Sequence, residues 1–373
     1  MSHVEGRPEA GNQPRSLTKS LIKGGYTFYD LIRKDRRFYA MLMTFFLIAG
    51  ATYPYPAIAM WVGFLFAGYS AIANDSIQTI GTFLASNRHR PWWLLWLFIG
   101  LLFVGTVAYS WVVYSGDVSH QRLAAKGFSE APTSFNFLQI AAPLFLLALT
   151  RMRIPVSTTF LILSCFATSA ASLAGVLTKS LVGYVCAFVV SIIIWRIFTK
   201  NMDRWFKTPA GSHWMPIQWL ATGLLWYSWL SQDASNIAVY LPRSLSWEQF
   251  AIFAGAIFVG LGILFYMRGD KIQQIVEEKT EVVDVRAATI IDFIYAIILI
   301  VFKGYSHMPM STTWVFIGLL AGREFGIALA RSDMGRRTWR LAYKDLRNAA
   351  IGLLVSGLVA FGANPQIFIG SSQ

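Results

Sequence analysis

Eleven mostly apolar stretches, at 37–53, 57–85, 92–114, 136–150, 155–176, 180–198, 213–236, 247–268, 287–304, 309–330 and 347–363, account for most of the 373 residues. A helix needs about 20 apolar residues to cross the hydrocarbon core of a bilayer. In that solvent only helices and closed barrels satisfy their own backbone, so the pattern commits this chain to an all-α polytopic membrane fold with about eleven membrane segments. Charged residues make up only 14% of the chain, against about 25% in soluble domains, and the mean hydropathy is +0.49. Two features interrupt the runs. A YPYP stretch at 53–56 separates the first two segments. Pro155 and Pro309 each open a segment and are followed by hydroxyl residues, which reads as a helix start and as a candidate broken or re-entrant helix.

The net charge of +13 invites a nucleic-acid reading, but its placement argues against one. With the N-terminus in the cytoplasm and eleven crossings, 26 of the 32 lysines and arginines fall on the cytoplasmic side and 5 outside, with Arg323 inside a segment. That is the positive-inside asymmetry of a plasma (cell inner) membrane protein, and it puts the C-terminus outside. Residues 1–36 are basic and lack the apolar core and cleavage site of a secretory signal; they read as a cytoplasmic tail with a helix lying along the membrane surface. Cys165 and Cys186 sit in apolar runs as buried thiols, and neither cysteines nor histidines have metal-ligand spacing.

An internal repeat divides the chain. At an offset of 158, Trp61 pairs with Trp219, Tyr69 with Tyr227, Ser70 with Ser228, Asn74 with Gln232, Asp75 with Asp233 and Gln78 with Asn236. Downstream, PVSTT at 155–159 recurs as PMSTT at 309–313. Two polar motifs in the same order at nearly the same spacing indicate duplication. The expected organisation is a basic tail (1–36), an extra helix (37–56), a first five-helix repeat (57–198), a cytoplasmic linker (199–212), a second repeat (213–363) and a short tail (364–373). Five crossings is an odd number, so the second repeat is expected to be inverted. Inverted repeats with broken helices are a transporter architecture, with the site where the repeats meet.

An aspartate at the centre of a membrane helix costs about 2.5–3.5 kcal/mol on insertion scales, tolerable beside a cation or a water-filled cavity. Asn74 with Asp75, and Gln232 with Asp233, offer oxygen ligands suited to a hard cation such as sodium; a polar clamp between helices is the alternative. The PXSTT starts suit the opposite charge. Ser157, Thr158, Thr159 and Ser311, Thr312, Thr313, with Gln78 and Asn236, supply hydroxyl, amide and helix-start donors for an anion; ordinary helix capping is the alternative.

The string ANDSIQTIGT at 73–82 resembles the GANDVAN signature of the inorganic phosphate transporter (PiT) family, and both PXSTT motifs resemble that family's PVSTTH elements. The resemblance covers residues 57–330 in order. It implies an inverted-repeat fold and cation-coupled symport of phosphate, with sodium or protons as coupling ion and Asp75, Asn74, Asp233 and Asn236 in the ion and substrate site, joined by the hydroxyl triplets. Ala73 replaces the family's glycine, Gln78 its asparagine, SQD at 231–233 its AND, and Phe160 and Trp314 its histidines. These departures leave sulfate or another tetrahedral anion, or an uncoupled channel or sensor, as alternatives. No enzyme activity is expected: paired membrane aspartates also mark intramembrane proteases, but no GXGD string surrounds either one. No cofactor beyond the coupling ion is implied. The expected partners are the oxyanion, lipid and, as an oligomer, a second copy. His307 reads as a solvent-side or gating residue, Asp292 as an end residue or a supporting ion ligand, and Arg323 with Glu324 as an ion pair or an inner gate. Trp92, Trp93 and Trp96 read as an interfacial anchor.

Overall fold

The computed structural model describes residues 35–366 except 126, 153, 155, 168, 206–207, 268–283, 307–310 and 333–334, with backbone alone at 76–78, 170–172, 176, 200–205, 302–306, 336–338, 341–342 and 345. The basic tail, Pro155, His307, Pro309 and the side chain of Gln78 therefore lie outside the described residues. The chain divides into two units, Met1–Leu47 and Ile48–Gln373. Helix α1 (Arg36–Thr52) begins in the first, and every later helix belongs to the second.

Every described element is a helix. After α1 come α2 (Pro56–Ser86), α3 (Trp92–Val113), the four-residue turn α4 (Arg122–Ala125), α5 (Phe137–Arg151), α6 (Thr158–Ser164), α7 (Ala170–Trp205), α8 (Trp214–Ala238), α9 (Trp247–Tyr266), α10 (Val285–Ser306), α11 (Thr312–Ala330) and α12 (Arg336–Ala363). Among the described residues, six helices contain a stretch long and apolar enough to span a membrane. Large apolar side chains such as Leu101, Ile197, Val259 and Leu354 point outward, as expected where lipid replaces water. The fold is that of an all-α polytopic membrane protein.

Two expected boundaries move. The stretch 155–176 is not one span: α6 has seven residues and α7, with 36, begins at Ala170. At 1.5 Å per residue α6 is only ~10 Å long, and α5, with 15 residues, ~22 Å, both short of the ~30 Å core. The two double back on each other, with Gln139 Nε2 donating to the Cys165 carbonyl at 3.0 Å. Their turn is level with the middle of α2, because the Thr150 hydroxyl donates to Asn74 Oδ1 at 3.0 Å. Arg151, Met152 and Ile154 thus sit at a hairpin tip and not in a loop beyond the membrane. Helices α10 and α11 form a second hairpin, with Ile327 packed against Ala287, Ala288 and Ile291. The first hairpin opens toward the Ala238 end of α8, where the Tyr240 hydroxyl donates to the Gln139 carbonyl at 2.9 Å. The second opens toward the Trp214 end, where Arg286 Nη2 donates to the Thr208 carbonyl at 3.1 Å.

Packing contacts recur in pairs when α2, α3, α5, α6 and α7 are exchanged with α8, α9, α10, α11 and α12. Helix α2 packs on α5 as α8 does on α10, α2 on α9 as α8 on α3, and α6 on α12 as α11 on α7. Helices α2 and α8 run antiparallel side by side: Phe83 meets Trp219, Gly68 lies against Ile237, and Gly63 against Tyr240. Combined with the 158-residue offset, this pairing places the point of exchange near Ala73 and Ser231. Asp75 and Asp233 lie two residues past it in opposite directions, an axial step of about 3 Å each.

The tightest helix pair is α7 with α11. Gly318, Gly322 and Gly326 repeat every fourth residue, and Cβ atoms there would stand 2.5 Å from the Tyr184 carbonyl oxygen, 2.3 Å from that of Phe188 and 2.8 Å from that of Ile192. Without a hydrophobic drive in lipid, close backbone approach through small residues is what joins membrane helices. Cys165 is buried as expected, whereas Cys186 is only half-buried. Trp93 is exposed, but Trp96 packs α3 on α9, its Nε1 donating to the Phe258 carbonyl at 2.9 Å; only part of the tryptophan cluster can anchor at an interface. Gly322→Leu is expected to abolish monodisperse protein in detergent. Gly322→Ala should lower the melting temperature by an amount corresponding to about 1–3 kcal/mol of overpacking, while Gly105→Ala, where a Cβ meets nothing within 4 Å, leaves it unchanged.

Candidate functional site

Both hairpin tips end against the middle of the α2–α8 pair. Of the twelve residues expected at a site, the eleven with described side chains are all buried, the most accessible being Asn74 at 6%. Seven fall into two hydrogen-bonded sets, one on each aspartate, joined through the adjacent residues Thr158 and Thr159. Asp75 Oδ1 accepts from Thr158 Oγ1 at 2.8 Å and from Asn74 Nδ2 at 2.7 Å. Asp233 Oδ1 accepts from Thr159 Oγ1 at 3.3 Å and from Asn236 Nδ2 at 3.1 Å, and Oδ2 accepts from Thr312 Oγ1. Asn236 Nδ2 also donates to Thr159 Oγ1 at 3.0 Å. Adjacent residues at the tip of one hairpin therefore reach the two aspartates, and the tip of the other hairpin meets Asp233.

The remaining expected residues do other things. Ser157 and Ser311 are helix N-caps, accepting from the Phe160 and Trp314 amides at 3.0 and 3.2 Å, so their hydroxyls serve helix starts and not a ligand. With only seven residues in α6, the dipole favouring an anion at a helix start is available mainly at α11. Gln232 does not turn to the carboxylates. It donates through Nε2 to the Leu299 carbonyl at 3.1 Å, clamping α8 to α10, because its side chain is one methylene longer than that of Asn74. Thr313 is buried in the α11 turn.

Three features went beyond the motifs. Asp292, which the sequence left as an end residue or a supporting ligand, is 1% exposed. Its two oxygens accept from Thr82 on α2 and Thr222 on α8, both at 2.6 Å, so it is no snorkelling end residue. Toward the Trp214 end of α8, Asn87 Nδ2 donates to Gln218 Oε1 at 2.9 Å, Gln218 Nε2 donates to Ser86 Oγ, and Trp219 Nε1 donates to Asn87 Oδ1 at 3.1 Å. The stripe Asp75, Thr79, Thr82, Ser86 at i, i+4, i+7, i+11 is the signal that would have found this seam. Arg122 is the third feature, buried on the turn α4. Arg323 and Glu324 form an ion pair at 2.8 Å, with the guanidinium 5.1 Å from the Trp195 ring.

The chemistry of the cluster is one of surplus acceptors. Asp75 Oδ2 and Asn236 Oδ1 are buried and accept no hydrogen bond. Buried polar atoms left so are uncommon, and carboxylate, amide-carbonyl and hydroxyl oxygens together are the donor set of a hard cation. Among the described residues no group of three His, Cys, Asp or Glu gathers as it would for a transition metal.

A helical membrane fold with broken helices meeting at paired acids in mid-structure is the build of a transporter. No family model and no curated protein matches this chain. Among solved structures, one described as a sodium-dependent phosphate transporter is similar, with a TM-score of 0.54 over 84% of this chain and 98% of that one at 18% identity; the two share a fold. Ser157→Ala and Ser311→Ala are each expected to lower stability by about 1 kcal/mol through the lost cap while keeping solute uptake, whereas Thr158→Val and Thr312→Val reduce uptake severalfold at nearly unchanged melting temperature. Equal uptake losses in both pairs would contradict this division of labour.

Proposed function

We propose that this protein is a secondary active transporter, carrying inorganic phosphate or a similar tetrahedral oxyanion in symport with sodium or protons. The observation that carries this reading is the junction of Thr158 and Thr159 with Asp75 and Asp233, reinforced by Thr312 from the opposite hairpin. The likeness in fold to a sodium-dependent phosphate transporter and the motif resemblance support the same class.

In this reading the halves 57–198 and 213–363 are inverted repeats, as the paired packing contacts suggest. The N-terminus faces the cytoplasm of the plasma membrane and the C-terminus the outside. Cations bind first, at the surplus oxygens of Asp75 and Asn236 and beside Asp233. Their charge removes the repulsion that two nearby carboxylates exert on an anion and holds the hairpin tips in register. The oxyanion then takes hydroxyl and amide donors at the start of α11 and along the threonine pair. One hairpin-bearing bundle rocks against the other, breaking the Asn87–Gln218 seam as the site opens toward it. Coupling is reciprocal: cation raises anion affinity by the factor by which anion raises cation affinity.

The test is uptake of radiolabelled phosphate and sulfate into proteoliposomes with and without an inward sodium gradient and a proton gradient. Gradient-driven accumulation of one oxyanion is expected, with Asp75→Asn and Asp233→Asn inserting normally but losing at least about 99% of uptake, since each removes a charge on which coupling depends. Flux that ignores both gradients would indicate a channel, and normal driven uptake in both mutants would defeat the site assignment.

A further inference from the structure

Two arginines stand at the Ala238 end of α8, Arg243 half-buried and Arg122 buried, and only the guanidinium of Arg243 is used by the fold. Arg243 donates Nε to the Phe128 carbonyl at 2.8 Å, Nη1 to those of Val239 at 3.2 Å and Leu241 at 2.7 Å, and Nη2 to that of Glu130 at 2.7 Å. Burial lowers its pKa to about 10, with Asp117 opposing, so it stays charged and spends that charge closing the helix end. Arg122 is only 6% exposed, opens the turn α4 that packs on α8, and uses its backbone amide on the Ser119 carbonyl at 3.0 Å, while its guanidinium makes no hydrogen bond or ion pair with any described residue. Burial lowers its pKa too, and the carboxylate that opposes this is Asp233 of the cluster.

The loop is built to hold Arg122 there. Ser115, His120 and Gln121 have φ of 51°, 54° and 59°, a left-handed backbone that side-chain-bearing residues seldom adopt. The Asp117 carboxylate fastens them by accepting from the Ser119 and Gln121 amides at 2.7 and 2.6 Å. The Leu245 amide donates to the Gly116 carbonyl at 2.9 Å and Ser244 Oγ to that of Ser115 at 2.8 Å, tying the loop to the segment after α8. None of these bonds involves the guanidinium. None of its nitrogens is among the polar atoms sealed away without a partner, so the fork stays accessible while the rest of the side chain is buried, and the carbonyls at the end of α8 are taken by Arg243. A planar five-donor fork near enough to Asp233 to feel its charge, on a loop held in left-handed backbone, is suited to two oxygens of an oxyanion.

We propose that Arg122 is the oxyanion-recognition residue of the carrier, forking onto the tetrahedral anion at the Ala238 end of α8 and passing it to the threonine–aspartate cluster. This rests on the transport reading above and adds to it a fixed positive charge from outside both repeat motifs. Arg122→Gln is expected to raise the KM for phosphate uptake about tenfold or more, with Vmax within about twofold, an unchanged sodium half-saturation and a wild-type melting temperature; Arg122→Lys, keeping charge without the fork, lies between. A wild-type KM in both variants would overturn the assignment while leaving the transport reading standing.

The second readout needs no transport: phenylglyoxal labelling of arginines in the wild-type protein, followed by peptide mass spectrometry. Phosphate or sulfate is expected to slow labelling of Arg122 and not of Arg243, in vesicles of neutral phosphatidylcholine. Labelling indifferent to every oxyanion would overturn the proposal. So would protection seen only with anionic lipid, which would assign the guanidinium to a headgroup. Protection without any gradient-driven uptake would keep Arg122 as an anion ligand and sink the carrier reading instead.

Discussion

Two carboxylates held close together inside an apolar structure are the constraint on which the rest depends. Both carboxylates accept hydrogen bonds from neutral side chains. Their charge is met by hydroxyl and amide hydrogens: Thr158 and Asn74 on one, Thr159, Thr312 and Asn236 on the other. The amides come from α2 and α8 themselves, and the hydroxyls come from the hairpin tips, where Thr158, Thr159 and Thr312 stand at helix starts and not against a preceding turn as Thr106 does toward the Leu102 carbonyl. Breaking α6 and α11 at a serine cap turns the next two threonines outward from the helix start and onto α2 and α8. Satisfying buried acids with neutral donors, while leaving Asp75 Oδ2 over, keeps the cluster stable yet short of positive charge.

The scaffold that holds this cluster is nearly symmetric in its contacts and quite asymmetric in its materials. Helix α11 is 19 residues and lies backbone-to-backbone on α7 through its glycines, whereas its counterpart α6 has seven residues and meets α12 without them. Asn364 Nδ2 donates to the Cys165 carbonyl at 2.5 Å, and Asn136 Nδ2 to that of Ala363 at 2.9 Å, so polar ties at helix ends stand in for the missing length. The first hairpin is thus held mainly at its open end, the second along its whole flank.

Much of this was legible in the sequence, and the reasons for the remainder are specific. Apart from the turn α4, the described helices follow the apolar runs one for one, and the antiparallel packing of α2 on α8 brings the recurring aspartates together. Splitting the fifth and sixth segments at 177–179 instead of between Ser164 and Ala170 went wrong because the sequence at the true break, rich in small and hydroxyl residues, contains neither proline nor glycine and stays apolar. The charge asymmetry was blind to this, since a hairpin that returns to its own side leaves every later segment on the same face. Serine and threonine look alike as donors, yet position decides: the first of each triplet caps, the second reaches a carboxylate. Gln232 matched Asn74 in type but not in reach. The glycine ladder of α11 was readable as small residues at every fourth position and was passed over because its neighbours are all apolar. Arg122 left no trace, as its burial depends on a loop fold that no periodicity announces.

Asp292 carries one more implication. The first hairpin's long arm, α5, holds no acidic residue at all, so this third buried carboxyl has no twin. It touches both α2 and α8, on the flank nearer Trp214. If halves of equal chemistry traded shapes, the two facings of the molecule would sit at equal free energy and only gradients would choose between them. In the transport cycle proposed above, a lone acid on one flank would remove that degeneracy: the facing that wets it and the facing that dries it would differ by its hydration, giving a resting preference before any solute arrives.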